Sequence, residues 1–336
     1  MPLSTRFAHF SLRLLPLLVL AACGGGDDIT EVPAIVSPVI QGTVVAYTAP
    51  MVTIDPSING VHGDMRAYLP VGGATRQQLF VFLPASPASP DAYRLVGEYA
   101  AVAGLYSVGL PYPNARAVNA LCTGSADTQC HGHVRQVTLA GGDVPQAIPA
   151  VSISTSDSIQ NRLARTLAYL DASYPTAGWG QFLDANGKVL WNRARVGGHG
   201  EGGAQAAYIA TQLPVVQACM LSAPGDAANG APAPWMIAAA TFSATPGSQF
   251  FGFTHLQDST TPISSVQAAW TALGLTGQPT PVDGATPPYG GSHQLTTNLP
   301  ISWSPDFHSV TAIDFDTPLN ADGTATYAPA GTAACF

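Results

Sequence analysis

Residues 196–210 read VGGHGEGGAQAAYIA. Gly198, His199, Gly200, Glu201 and Gly202 fit the frame Gly-x-Ser-x-Gly, in which a strand turns sharply into a helix and lifts a serine hydroxyl out of the bend. Position 200, where that serine belongs, is glycine. Acyl transfer needs a nucleophile with a removable proton, and glycine has none. Glycine does tolerate a strained turn better than serine. The expectation is therefore a bend whose backbone survives while its covalent step is lost. A triad built on such a turn takes its acid and then its histidine from further along the chain. Asp258, in FGFTHLQDST, is the first choice of acid, its plain structural role being to cap a loop; Asp226, in LSAPGD, competes. His308, in SPDFHSVTAID, is the first choice of histidine, ahead of His293 and His255.

Two backbone N–H groups would complete an oxyanion hole, one from Glu201 and one from the loop after residues 78–84. Pro84 has no N–H, so Ala85 or Ser86 is the second donor. The Glu201 carboxylate is expected as an exposed charge at a helix N-terminus, favoured by the dipole by about 0.3–1 kcal/mol. Its alternative role is a base acting on water beside His308. Ser222 and Ser292 are conceivable replacement nucleophiles that no neighbouring residue marks. Gly198, Gly200 and Gly203 also spell G-x-G-x-x-G, with Asp226 at a suitable distance for a ribose hydroxyl. Such a motif usually opens its fold and here lies deep in the chain, so it carries little weight and no cofactor is expected.

These residues need elements to hold them. Residues 78–84 (QLFVFLP), 106–110 (YSVGL), 189–196, 215–221 (VVQACML) and 250–254 are short apolar runs with strand character. Between them fall helical patterns. Residues 91–103 place Tyr93, Val96, Tyr99, Ala100 and Ala103 on one face, and Ile159, Leu163, Leu167 and Leu170 form a stripe capped by Ser156 or Asp157. Residues 204–212 follow the turn, and Val266, Ala269, Trp270 and Leu273 mark a later helix. Alternating strands and helices imply an α/β fold with a mostly parallel sheet covered on both faces. Residues 43–47 and 64–68 look like antiparallel edge strands before it.

An antiparallel start feeding a parallel sheet is similar to the α/β-hydrolase layout. WGQFL at 179–183 and LSAPGD at 221–226 also resemble a group of exported bacterial α/β-hydrolase-like proteins. These carry Gly-His-Ser-Gln-Gly at the elbow, and the resemblance runs from Gln78 to Leu319. It implies an esterase-type α/β-hydrolase fold with antiparallel N-terminal strands and helices on both faces. It also places His199 beneath the turn, packing there and shaping it. The departure at Gly200 is what puts the esterase activity in question.

The chain has 336 residues and a formal net charge of −8. That balance argues against nucleic acid, which needs basic patches. Arg6, Arg13, the apolar run 14–20 and Leu20-Ala21-Ala22-Cys23 read as an export signal over residues 1–22. The stretch resembles the lipobox of bacterial lipoproteins, which implies cleavage before Cys23, lipidation of its thiol and a membrane anchor. By resemblance to Gram-negative lipoproteins, Gly24 after the cysteine favours the outer membrane within the cell envelope. Residues 23–40 have tether composition, leaving 41–336 as one domain. Cys122 and Cys130 flank a short polar loop and suit a local disulfide, whereas Cys219 is either a buried thiol or a partner for Cys335. No Cys-x-x-Cys or His-Glu-x-x-His run suggests a metal. The expected function is a lipid-anchored, degenerate esterase that binds a small ester, acid or glycan-like ligand. An active hydrolase with a displaced centre and an envelope interaction scaffold are the alternatives.

Overall fold

The computed structural model of the chain describes residues 38–60, 62–302 and 306–336. The expected signal segment, Cys23 and nearly all of the expected tether lie outside these residues. The strand LFVFL shows how the fold is set. Its side chains alternate, so Leu79, Val81 and Leu83 enter one hydrophobic core while Phe80 and Phe82 enter another. A strand buried on both faces belongs inside a sheet with helices above and below it.

The strands of that sheet are β1 (Val39–Gln41), β2 (Val44–Ala49), β3 (Met65–Pro70), β4 (Leu79–Leu83), β5 (Tyr106–Gly109), β6 (Ala194–His199), β7 (Gln217–Leu221), β8 (Phe250–His255), β9 (Thr280–Pro281) and β10 (Gln294–Thr297). Their spatial order is β1-β2-β3-β5-β4-β6-β7-β8-β10-β9. From β1 to β5 the pairing is antiparallel, and from β5 onward it is parallel. This is the α/β-hydrolase arrangement expected from the sequence. Helix α1 (Arg94–Val102) packs on β3 and β5. Helices α2 (Val118–Cys122) and α3 (Cys130–Ala140) belong to an insertion described below. Then come α4 (Ile159–Ser173), α5 (Glu201–Gln212), α6 (Pro234–Phe242), α7 (Ile263–Ala272) and α8 (Ala328–Cys335). The Leu79 core takes side chains from α4, α5 and α7, and the Phe80 core from α1 and α8.

Several boundaries differ from the sequence expectation for identifiable reasons. The strand expected at 189–196 starts only at Ala194, because Trp191–Arg193 forms a 3₁₀ turn first. Helix α4 is capped by Ser158, whose hydroxyl accepts from Asn161 N–H, rather than by Ser156 or Asp157. Helix α5 begins at Glu201 rather than Ala204. Strands β2 and β3 are internal, because β1 covers the outer edge from within the stretch expected as tether.

Both disulfides considered from the sequence are present, Cys122–Cys130 and Cys219–Cys335. The second ties β7 to α8. The first joins α2 to α3 in an insertion that ends in the hairpin of Gly142–Val144 with Val151–Ile153. Val118, Leu121, Val134, Val137, Val144 and Ala147 form a small core of its own there. So small a core gains from a covalent tie. Replacing both Cys122 and Cys130 by serine should lower unfolding free energy by about 2.5 kcal/mol, the loop-closure value for so short a ring, read as a reduced urea midpoint at unchanged m-value.

Candidate active site

The turn at Gly200 is built by close approach of backbones. A Cβ added at Gly202 would lie 2.0 Å from Leu83 O, and one at Gly198 would lie 2.3 Å from the Gly202 carbonyl carbon. Only glycine lets the end of β4, the end of β6 and the first turn of α5 meet this tightly. Gly200 itself sits at φ +51°, ψ −113°, a sparsely populated region that costs a side-chain-bearing residue about 1–3 kcal/mol. Its N–H donates to Leu221 O at 2.9 Å, which pins the bend to β7.

A Cβ built at Gly200 meets His308 Nε2 at 2.7 Å and Ala85 Cβ at 3.4 Å. The position a serine side chain would take therefore faces the imidazole directly. His308 Nδ1 bonds Asp258 Oδ2 at 2.7 Å. In the neutral ring this places the proton on Nδ1 and leaves the Nε2 lone pair aimed at position 200. Asp258 is held in turn: its Oδ1 accepts from Thr260 N–H at 2.9 Å and Thr261 N–H at 2.8 Å. The carboxylate side chain is fully buried and the imidazole 13% exposed. Asp306 accepts from His308 N–H at 3.0 Å and Ser309 Oγ–H at 2.5 Å, fixing the turn that carries the ring.

His199 lies beneath the bend. Its Nε2 donates to the His308 carbonyl at 2.9 Å, so its Nδ1 accepts from Tyr93 Oη–H at 3.0 Å. Tyr93 Oη accepts from Ala85 N–H at 3.1 Å. Three loops are thereby joined by one directional chain of hydrogen bonds. Burial, aided by repulsion from His308, pushes the His199 pKa down to about 3. It stays neutral and acts as a strut rather than an acid or base. Of the two amides considered as second oxyanion donor, Ala85 N–H is engaged by Tyr93, which leaves Ser86. The Ser86 hydroxyl donates to Asn114 O at 2.5 Å and fastens that loop. The Glu201 N–H belongs to the first turn of α5, where amides have no intrahelical acceptor.

The Glu201 side chain is a correction to the sequence expectation. It is not an exposed charge at a helix end. It is 11% exposed and paired with Arg135 at 2.8 Å, and it also accepts from Val118 N–H at 3.1 Å. Arg135, fully buried, also holds Asp226 through Nε at 2.6 Å and Nη2 at 2.5 Å. Trp235 Nε1–H donates to the same carboxylate at 2.8 Å. Asp226 thus faces neither His308 nor open space, and a ribose hydroxyl has no route to it. Burial raises the Glu201 pKa further than Arg135 lowers it. For Asp226 burial is the largest single influence and acts upward, but the Arg135 charge and hydrogen bonds, with His131 and the Trp235 N–H, together outweigh it and the net shift is downward.

The side chains of the other candidates are engaged elsewhere. His255 Nε2 bonds Leu299 O at 3.0 Å, and His293 stacks on Phe251. Ser222 Oγ–H donates to the His308 carbonyl at 3.0 Å rather than to its ring, and Ser292 Oγ–H donates to Gln278 O at 2.6 Å. Among the described residues no group of three or more His, Cys, Asp or Glu side chains gathers to hold a metal, and no helix is long and apolar enough to cross a membrane. Tyr93 and Arg135 are the site residues that sequence reasoning missed. Tyr93 had shown itself only as one apolar position of a helical face, and Arg135 showed no signal at all.

No family model matches the chain, and no curated protein matches its sequence. Among solved structures it is similar to a candidate dienelactone hydrolase from Klebsiella pneumoniae, at 14% identity over 86% of this chain and 95% of that one, with a TM-score of 0.40. It is also similar to a cold-adapted esterase from an Arctic intertidal metagenomic library, at 11% identity over 78% of this chain and 86% of that one, again with a TM-score of 0.40.

Proposed function

We propose that this protein is a degenerate esterase: a hydrolase-like fold that keeps the base and its orienting acid but has no nucleophile for them to activate. One observation carries the reading. The Cβ position of Gly200 is 2.7 Å from the His308 nitrogen whose ring is anchored on Asp258. His308 and Asp258 are the vestigial base and acid, His199 and Tyr93 the supports, and the amides of Glu201 and Ser86 the remaining donors for a carbonyl or carboxylate oxygen. What is left is a site that binds a small ester or acid without acylation. The chain is proposed to be exported, cleaved before Cys23 and anchored by lipid in the cell envelope, with no role in nucleic-acid binding.

The retained His308–Asp258 pair favours one second reading, in which the imidazole deprotonates water for direct attack on a bound ester. The two readings separate in one experiment. Purified mature protein is assayed with p-nitrophenyl acetate beside His308→Ala. Equal, background-level rates are expected. Native turnover that His308→Ala abolishes would overturn the degenerate reading in favour of the water route. For the anchor, palmitate incorporation in cells is expected to vanish in Cys23→Ala; its persistence would overturn the lipidation.

A further inference from the structure

The insertion leaves a cavity of about 190 Å³ beside the turn. Its walls are apolar: Val118 and Leu121 from α2, Val134 from α3, and Val151 and Ile153 from the hairpin. Its inner end reaches Glu201 and Gln205 on α5. Its rim carries Arg116 and His62. A dry apolar cavity of about 150 Å³ accepts a benzene ring, so this one has room for a single ring or a short branched chain.

Charge selects the head group. Both Glu201 oxygens are already engaged, Oε1 by Arg135 and Oε2 by Val118 N–H. A ligand cation finds no unoccupied carboxylate oxygen there. Arg116 is exposed, and among the described residues it forms no ion pair. The side chain at the rim is thus an unopposed positive charge above an apolar hole.

We propose that this cavity is the ligand site and that its ligand is a small carboxylic acid with a ring-sized or branched apolar body, the body in the valine-lined hole and the carboxylate at Arg116. This rests on the reading above that the fold binds a ligand without acyl transfer, and it names the ligand class; the cavity meets the turn through Glu201, the residue after Gly200. The disulfide-tied insertion supplies most of the walls, so specificity resides in a segment separate from the catalytic frame.

The test uses ligand-observed NMR and calorimetry on the mature chain with four probes: phenylacetate, phenylacetamide, phenethylammonium and acetate. Phenylacetate is expected to bind with Kd of about 1 mM or tighter, in line with ligands of its size, and about 2–5-fold tighter than the amide, as one solvent-exposed charge pair allows. Acetate, lacking the body, should not bind. Val134→Phe fills the hole and should weaken phenylacetate at least about tenfold with its melting transition retained. Ile153→Phe, on the hairpin, serves as a second filling variant if the first fails to fold. Arg116→Gln should make acid and amide equal. The inference is overturned if no probe binds at 10-fold above that Kd (about 10 mM), if the ammonium compound binds best, or if both filling variants bind as native does. Failure here with a gain of turnover in Gly200→Ser removes the cavity assignment and leaves the degenerate-elbow reading intact. Binding as described, with native ester turnover that depends on His308, does the reverse.

Discussion

Gly200→Ser is expected to raise p-nitrophenyl acetate turnover about 10²–10⁴-fold above the native protein, the usual contribution of positioned proton transfer. The backbone already stands at φ +51°, ψ −113°, so the hydroxyl enters a bend that is formed. The base is in place, since the new Cβ would lie 2.7 Å from His308 Nε2. That separation is too short for a real Cβ, and the ring must withdraw while keeping its bond to Asp258. The withdrawal holds the gain below that of an evolved esterase. Gly200→Ala is the control. It carries the same backbone strain, about 1–3 kcal/mol, and the same crowding of the ring, but no hydroxyl. It should lose stability without gaining turnover. Gly200→Ser combined with His308→Ala should fall back to background. Equal activity in the serine and alanine variants would contradict the assignment of position 200.

Arg135→Met is expected to cost about 3–5 kcal/mol at pH 7, the penalty for removing one partner of a buried ionic cluster. Arg135 is fully buried and bonds both Asp226 and Glu201. In the native fold the depressed Asp226 pKa contributes stability above the unfolded carboxylate value, about 3.9, and that contribution is lost as pH falls through the folded value. The raised Glu201 pKa acts the other way: its contribution is present below its unfolded value and lost as pH rises through the folded one. Without Arg135 burial governs both carboxyls and both pKa values move up. The variant then gains on protonation, and its deficit against the native protein should shrink between pH 7 and about pH 4.5. Urea unfolding at the two pH values measures this. A deficit under about 1 kcal/mol, or one that does not change with pH, would contradict a buried cluster that depends on Arg135.

The fold was legible where the signal is local. LFVFL is apolar at every position, so its burial on both faces follows from the residues themselves. The Gly198–Gly202 frame was legible because backbone contact at 2.0–2.3 Å leaves glycine as the only residue that fits. Chain order singled out His308 and Asp258, and their side chains meet at 2.7 Å. What escaped was carried by long-range pairs. Glu201 meets Arg135 across 66 positions of sequence, and nothing in CHGHVRQVTLA marks that arginine as buried. An acid at a helix start reads as solvated unless its partner is known. Tyr93 looked like one more apolar position of the helix expected over 91–103, because its hydroxyl acts only where the β4 loop and His199 come together. The insertion's helices and hairpin were missed because a disulfide-tied unit of short elements has too little hydrophobic periodicity to read.

The most direct measurement is labelling by a fluorophosphonate, which reacts only with an activated hydroxyl, with the labelled residue located by peptide mass spectrometry. Native protein should remain unlabelled at every serine, Ser222 and Ser292 included. Gly200→Ser should be labelled at position 200, and His308→Ala in that background should abolish the label. A native chain that takes the label at any serine, or a position-200 label indifferent to His308, would contradict a turn that has kept its base and lost its nucleophile.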